Sequence, residues 1–142
     1  MGLFIESEGS KMELTGGYGM LMKIRIQVAK AWDKEFGEHY ETLPSLIRDE
    51  DYKKFDKRTD EILGQDRFKN EDADLVEFLF ASDCEGECGP ETAKKIYDLI
   101  KDVEYEGKLR YVTYPSTNKN DWEDFKQLLL DCWNNKKSLT WN

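Results

Sequence analysis

Apolar residues recur at helical spacing along most of this chain and at strand spacing only near its two ends. From Met20 to Phe36, Leu21, Ile24, Val28, Ala31 and Trp32 fall on one helical face, while Lys23, Arg25, Lys30 and Lys34 take other positions. Gly37 marks the end of this predicted helix, with His39 and Tyr40 just beyond it. Thr42-Leu43-Pro44-Ser45 is a break, because proline disfavours helix in the residue before it. Residues 46–63 predict a second, mostly solvated helix with a thin stripe of Tyr52, Phe55, Thr59, Ile62 and Leu63, closed by Gly64. Residues 72–81 carry Leu75, Val76, Phe78, Leu79 and Phe80, apolar nearly all round, which predicts a central helix. Pro90 suits a first helical residue and Glu91 complements the helix dipole. That helix is expected to reach about Val103 and to bury Ala93, Ile96, Tyr97, Leu99 and Ile100. Trp122, Phe125, Leu128, Leu129, Cys132 and Trp133 define a last helix, ended by Asn134-Asn135.

The ends of the chain read differently. Leu3-Phe4-Ile5 and Ser138-Leu139-Thr140-Trp141 are short strands, and pairing them would bring the termini into one small sheet. Residues 14–19 form a glycine-rich turn without the spacing of a phosphate or dinucleotide loop. Tyr105 to Tyr114 has strand-like composition but equally suits an extended loop, and Pro115 to Asn118 is turn chemistry. The pattern predicts an α+β fold, mostly α-helical, with four or five helices and a small sheet pairing the N- and C-terminal strands. At 142 residues the whole chain, 1–142, is expected to be a single domain.

Charge changes the picture more than composition does. Hydrophobic residues make up 39%, enough for a core, but the net charge is −9 and no basic stripe is present. Direct nucleic-acid binding is therefore not expected. An acidic surface serves solubility, or meets a basic partner such as a protein that itself grips nucleic acid. No apolar run approaches the roughly 20 residues of a membrane span. Glu6 and Glu8 follow the first apolar residues at once, which does not suit a secretory signal. A cytoplasmic location is expected, where three cysteines stay free or bind metal.

One stretch stands out chemically: Ser82-Asp83-Cys84-Glu85-Gly86-Glu87-Cys88-Gly89-Pro90-Glu91. It places two cysteines four residues apart around a glycine, between two apolar helices. Cys132 is the third cysteine and His39 the only histidine. Cys84, Cys88, Cys132 and His39 together match the donor set of one structural zinc centre. Asp83, Glu85 or Glu87 offers an oxygen in place of His39. The competing reading is that Cys132 packs as a small hydrophobe and His39 is merely exposed. An EF-hand calcium loop fits poorly. With Gly86 at its glycine position, Ala81 and Thr92 fall where carboxylates are required. Catalysis has little support, since a lone histidine would have to serve every histidine-dependent mechanism.

Ser-Asp-Cys-Glu-Gly-Glu, the Pro-Glu helix start, the Leu-Leu-Leu-Asp-Cys helix and the Trp-containing final strand resemble a family of small proteins of Gram-positive bacteria and their phages. The resemblance covers mainly residues 75–141 and the Met-Gly-Leu start. Members often carry an aliphatic residue at the position of Cys88 and a cysteine at that of Ala93. That family implies no known activity. In size, acidity and cysteine-histidine inventory the chain is also similar to the zinc-containing type II anti-CRISPR proteins of streptococcal phages. This second resemblance implies binding to Cas9 on a non-catalytic lobe, so that target DNA cannot load. The expected function is thus a phage-type inhibitor, not an enzyme, that docks through an acidic surface, with a structural zinc. The region from Arg48 to Asp51 and the acidic helix faces are the candidate contacts. The alternatives are a small zinc- or thiol-dependent enzyme using Cys84, or a metal-stabilised interaction module with another partner.

Overall fold

The computed structural model describes residues 3–7, 10–14, 17–68, 73–82, 84–105 and 119–142. The expected strand-like segment from residue 106 onward and the turn at 115–118 lie outside them. Among the described residues there are four strands and six α-helices, in an α+β arrangement dominated by helix. The strands are β1 (Leu3–Ser7), β2 (Ser10–Leu14), β3 (Gly86–Cys88) and β4 (Leu139–Trp141). The helices are α1 (Gly17–Trp32), α2 (Lys34–Glu41), α3 (Asp49–Leu63), α4 (Ala73–Phe80), α5 (Pro90–Ile100) and α6 (Lys119–Asn135). No described helix is long and apolar enough to cross a membrane.

The sheet is antiparallel throughout, in the order β2-β1-β4-β3. The termini pair as the sequence predicts: Ile5 stands opposite Trp141, and Phe4 and Asn142 exchange two backbone hydrogen bonds of 3.0 Å. Alternation then decides which face is buried. Ile5, Ser7, Met12, Cys88, Leu139 and Trp141 are buried, whereas Glu6 and Thr140 are only half-buried and Glu87 is exposed.

The helical layer departs from the sequence reading in three ways. The first predicted helix is two helices, because Asp33 leaves the helical conformation and its carboxylate accepts a 2.9 Å bond from the Phe36 N–H, capping α2. Gly37, His39 and Tyr40 therefore lie inside α2 rather than beyond a helix end. The ends of the expected glycine turn also belong to regular elements, Leu14 to β2 and residues 17–19 to α1, while residues 15 and 16 lie outside the described residues. Finally, α1 rather than α4 is the central helix. Residues 23–29 of α1 are all buried, Lys23 and Arg25 among them, whereas Phe80 of α4 is 39% exposed. Lys23 feels this burial directly, since desolvation holds its pKa below the ordinary lysine value.

The remaining helices follow their patterns. In α3, Phe55, Thr59 and Ile62 form the buried stripe at helical spacing. In α6, Trp122, Phe125, Leu128, Leu129 and Cys132 are buried. Lys126 reaches the carbonyl oxygens of Val103 and Lys101 at 2.7 and 3.3 Å, and so satisfies acceptors left open at the end of α5.

Candidate functional site

The stretch around Cys84 is folded by ordinary contacts to the sheet and the central helix. The Ser82 carbonyl accepts the Trp141 indole N–H at 2.9 Å and an Arg25 guanidinium N–H at 3.3 Å. The Cys84 N–H donates to the Ser82 hydroxyl at 3.1 Å. Gly86 lies directly beneath the Trp141 indole, where any Cβ would overlap the ring. Residues 86–88, read from sequence as loop, then add to the sheet as β3, with Cys88 opposite Leu139. Asp83 is outside the described residues.

The four donors expected for zinc occupy different surroundings. Cys84 is exposed. Cys88 and Cys132 are buried neighbours, one on the sheet and one on α6. Burial pushes the Cys88 thiol up to about 12, and Cys132 and Glu87 add to the rise. Burial also raises Cys132. His39 faces α3 instead. Its Nε2 is 2.8 Å from the Thr59 hydroxyl, and its ring stacks on Phe55 at 4.1 Å. The Thr59 hydroxyl donates its one proton to the Phe55 carbonyl at 2.9 Å, so His39 Nε2 must be the donor to Thr59. Burial, and then the charge of Arg58, hold His39 below its ordinary value, against an opposing bond to the Phe55 backbone. Among the described residues, no three His, Cys, Asp or Glu side chains gather to hold a metal ion.

What these elements do build is an acidic cleft. The solvent face of α4 supplies Asp74 and Glu77, β3 supplies Glu87, and the first turn of α5 supplies Glu91. These four carboxylates are exposed and surround a cavity of about 400 Å³. Its floor includes Phe78, Cys88 and Thr92, each buried, with Gly89 at the entrance to α5. None of the four carboxylates has an ion-pair partner among the described residues. Some acids elsewhere are paired, although others, Glu38, Asp56, Asp60 and Glu85 among them, have no ion-pair partner among the described residues either. Arg67 bridges Asp33 and Glu35 at 2.8 and 2.7 Å, Arg58 reaches Glu35 and Glu61, and Lys30 holds the buried Glu41 at 2.8 Å. The hydrogen bonds from Arg67 hold both Asp33 and Glu35 below the usual carboxylate range.

The sequence reading considered Glu87 only as a spare metal ligand, named Thr92 only as a misfit in a calcium loop, and passed over Asp74 and Glu77. A signal did exist. Asp74 and Glu77 are three residues apart on the polar side of an otherwise apolar helix, and that helix runs into the Cys84 stretch. No family model, curated protein or solved structure matches this chain.

Proposed function

We propose that this chain is a non-catalytic binding protein that docks its acidic cleft onto a basic surface of a nucleic-acid-binding host protein in the cytoplasm, and so obstructs that protein's nucleic-acid site. The observation that carries the reading is the set of four carboxylates, Asp74, Glu77, Glu87 and Glu91, held around one cleft without ion-pair partners among the described residues. Unpaired like charges oppose folding, and an arrangement of that kind is retained where a cationic partner neutralises it. The net charge of −9 adds long-range attraction to a basic surface. The buried thiol Cys88 and the only histidine support a non-catalytic role as well. Cys88 is shifted upward, opposite to an activated nucleophile, and His39 is engaged with Thr59 and Phe55. The resemblance of the sequence to Cas9 inhibitors makes Cas9 the first partner to test.

The experiment is a binding titration of the purified protein against Cas9 loaded with guide RNA, with labelled target DNA as competitor, from low to high salt. The expected result is saturable binding that excludes target DNA and weakens about tenfold or more as salt screens the contact. The double variant Glu77→Gln, Glu87→Gln should weaken it further at low salt. Absence of binding at low salt removes Cas9 as the partner. Binding indifferent to both salt and the double variant overturns docking through the cleft.

A further inference from the structure

We propose that Cys88 and Cys132 form a buried two-thiolate site for a soft monovalent metal ion, copper(I), a property separate from docking through the cleft. Three observations select this site and this ion.

The first is that the fold brings two thiols and a hydroxyl together. Cys88 of β3 stands opposite Leu139 of β4. On the other side of β4, Glu6 stands opposite Thr140, so Ser7 continues the antiparallel ladder beside Leu139. Ser7, Leu139 and Cys88 thus form one row across the buried face of the sheet. The end of α6 lies over that row. The Cys132 carbonyl accepts the Lys137 N–H at 3.0 Å where the chain turns toward β4, and the Cys132 side chain is fully buried. Its thiol is near enough to interact with both the Ser7 hydroxyl and the Cys88 thiol.

The second is the state of Ser7. This residue is 7% exposed and its hydroxyl lies beside the Cys132 thiol, yet among the described residues it makes no well-formed hydrogen bond. A buried hydroxyl without a partner is unfavourable. A thiol is a weak acceptor, whereas a thiolate is a charged and stronger one. Metal binding converts Cys132 to the thiolate and so gives the hydroxyl its partner. The step involves no oxidant or reductant: one copper(I) ion displaces the protons of both thiols, two copper–sulfur bonds form, and two protons pass to solvent. The ion supplies the positive charge that lets thiolates persist in a buried place.

The third is the number and kind of donors. Among the described residues no third His, Cys, Asp or Glu joins the two thiols. Structural zinc takes four ligands, and calcium and magnesium take oxygens. Copper(I) is soft, is selected by thiolates, and is satisfied by a pair of them. Cys88 also lies on the floor of the cavity of about 400 Å³, whose carboxylates attract cations. The ion therefore has an entry path from solvent to the first sulfur.

The test is an anaerobic titration of the reduced full-length protein with copper(I) against a coloured copper(I) chelator, with zinc titrated in parallel. The native chain should withhold about one copper(I) from the chelator, and X-ray absorption should show about two sulfur neighbours per copper. Bound copper should also raise the melting temperature by mass action. Cys84→Ser, at the exposed cysteine, should leave binding intact, whereas Cys88→Ala and Cys132→Ala should each abolish it. Ser7→Ala should keep the stoichiometry and weaken the affinity about tenfold. Each variant is checked by circular dichroism to be folded, and the sulfur count in the native chain stands without them. No copper withheld by the native chain, binding that follows Cys84 rather than Cys88 and Cys132, or zinc that displaces copper at equal concentration would each overturn the proposal.

Discussion

His39 shows how far a single residue can be read from its neighbours. The sequence makes it the only histidine and hence a natural metal donor, but its ring is committed to Thr59 and Phe55. Because burial and Arg58 depress its pKa, the folded chain binds a proton less readily than the unfolded chain. Acidification from neutral pH through the ordinary value of 6.5 therefore protonates the unfolded state first and lowers stability, until the folded value is also passed. Melting temperatures between pH 7.5 and pH 5 should fall for the native chain and stay nearly level for His39→Gln. The depressed carboxylates Asp33, Glu35 and Asp51 do not interfere, since their effect appears only as pH falls below the carboxylate range. A native chain whose stability is flat over this window would contradict the depressed histidine.

The cysteines separate at the same scale. Exposed Cys84 should react with a thiol reagent about tenfold or more faster than Cys88 and Cys132, which need an opening of the core. Cys84→Ser should change stability by less than about 0.5 kcal/mol. Cys132→Ser puts a hydroxyl in a fully buried site whose polar neighbour is Ser7, and should cost about 1–3 kcal/mol. A zinc shared by both thiolates would instead make the two substitutions comparably costly and release the metal with either. Thermal melts run beside elemental analysis read that difference.

At the scale of elements, two glycines fix the placement of their neighbours. Gly37 faces the backbone of Lys30, so that α1 and α2 meet too closely for a Cβ between them. Gly86 faces the Trp141 indole, which anchors Ser82 and hence the whole Cys84 stretch. Gly37→Ala and Gly86→Ala should each cost about 1–3 kcal/mol in denaturant melts, from overpacking. Only Gly86→Ala should also alter the near-ultraviolet signal of the buried Trp141. Gly64→Ala is the control, as its α-region backbone accepts alanine with only a mild approach to the Asp60 carbonyl. These contacts explain what the sequence could and could not convey. The pairing of β1 with β4 was legible because Leu3-Phe4-Ile5 and Leu139-Thr140-Trp141 are rich in strand formers. Gly86-Glu87-Cys88 has no such preference and becomes a strand only because the edge of β4 is there to pair with it. Asp33 looked like one more charge in a helical run, and its role as a cap depends on the turn it creates. The α3 stripe was legible because a single face meets the core. The burial of Lys23 and Arg25 was not, because it follows from α1 being enclosed on several sides.

On the scale of the molecule, the question is whether the acidic cleft serves folding or binding, and the two answers predict opposite changes in stability. Thirty acidic residues made any one group of four invisible in the sequence, since 74, 77, 87 and 91 become neighbours only when β3 closes against α4 and α5. If Glu77 and Glu87 supported the fold, neutralising them would lower the melting temperature. Neither has an ion-pair partner among the described residues, each adds to a net charge of −9, and Asp74 and Glu91 share the same cleft. Their net effect on the folded state is therefore mutual repulsion. Glu77→Gln with Glu87→Gln should raise the melting temperature by about 1–3 °C at low salt. The gain should shrink as added salt screens the repulsion in the native chain. Gln keeps the length and shape of Glu while removing its charge, so a rise that salt abolishes is attributable to the lost repulsion. The same variant should bind the partner less well. Stability gained together with binding lost is the signature of a site kept for its ligand rather than for the fold. A melting temperature that falls in the double variant would assign the carboxylates a structural role and remove the basis for docking through the cleft.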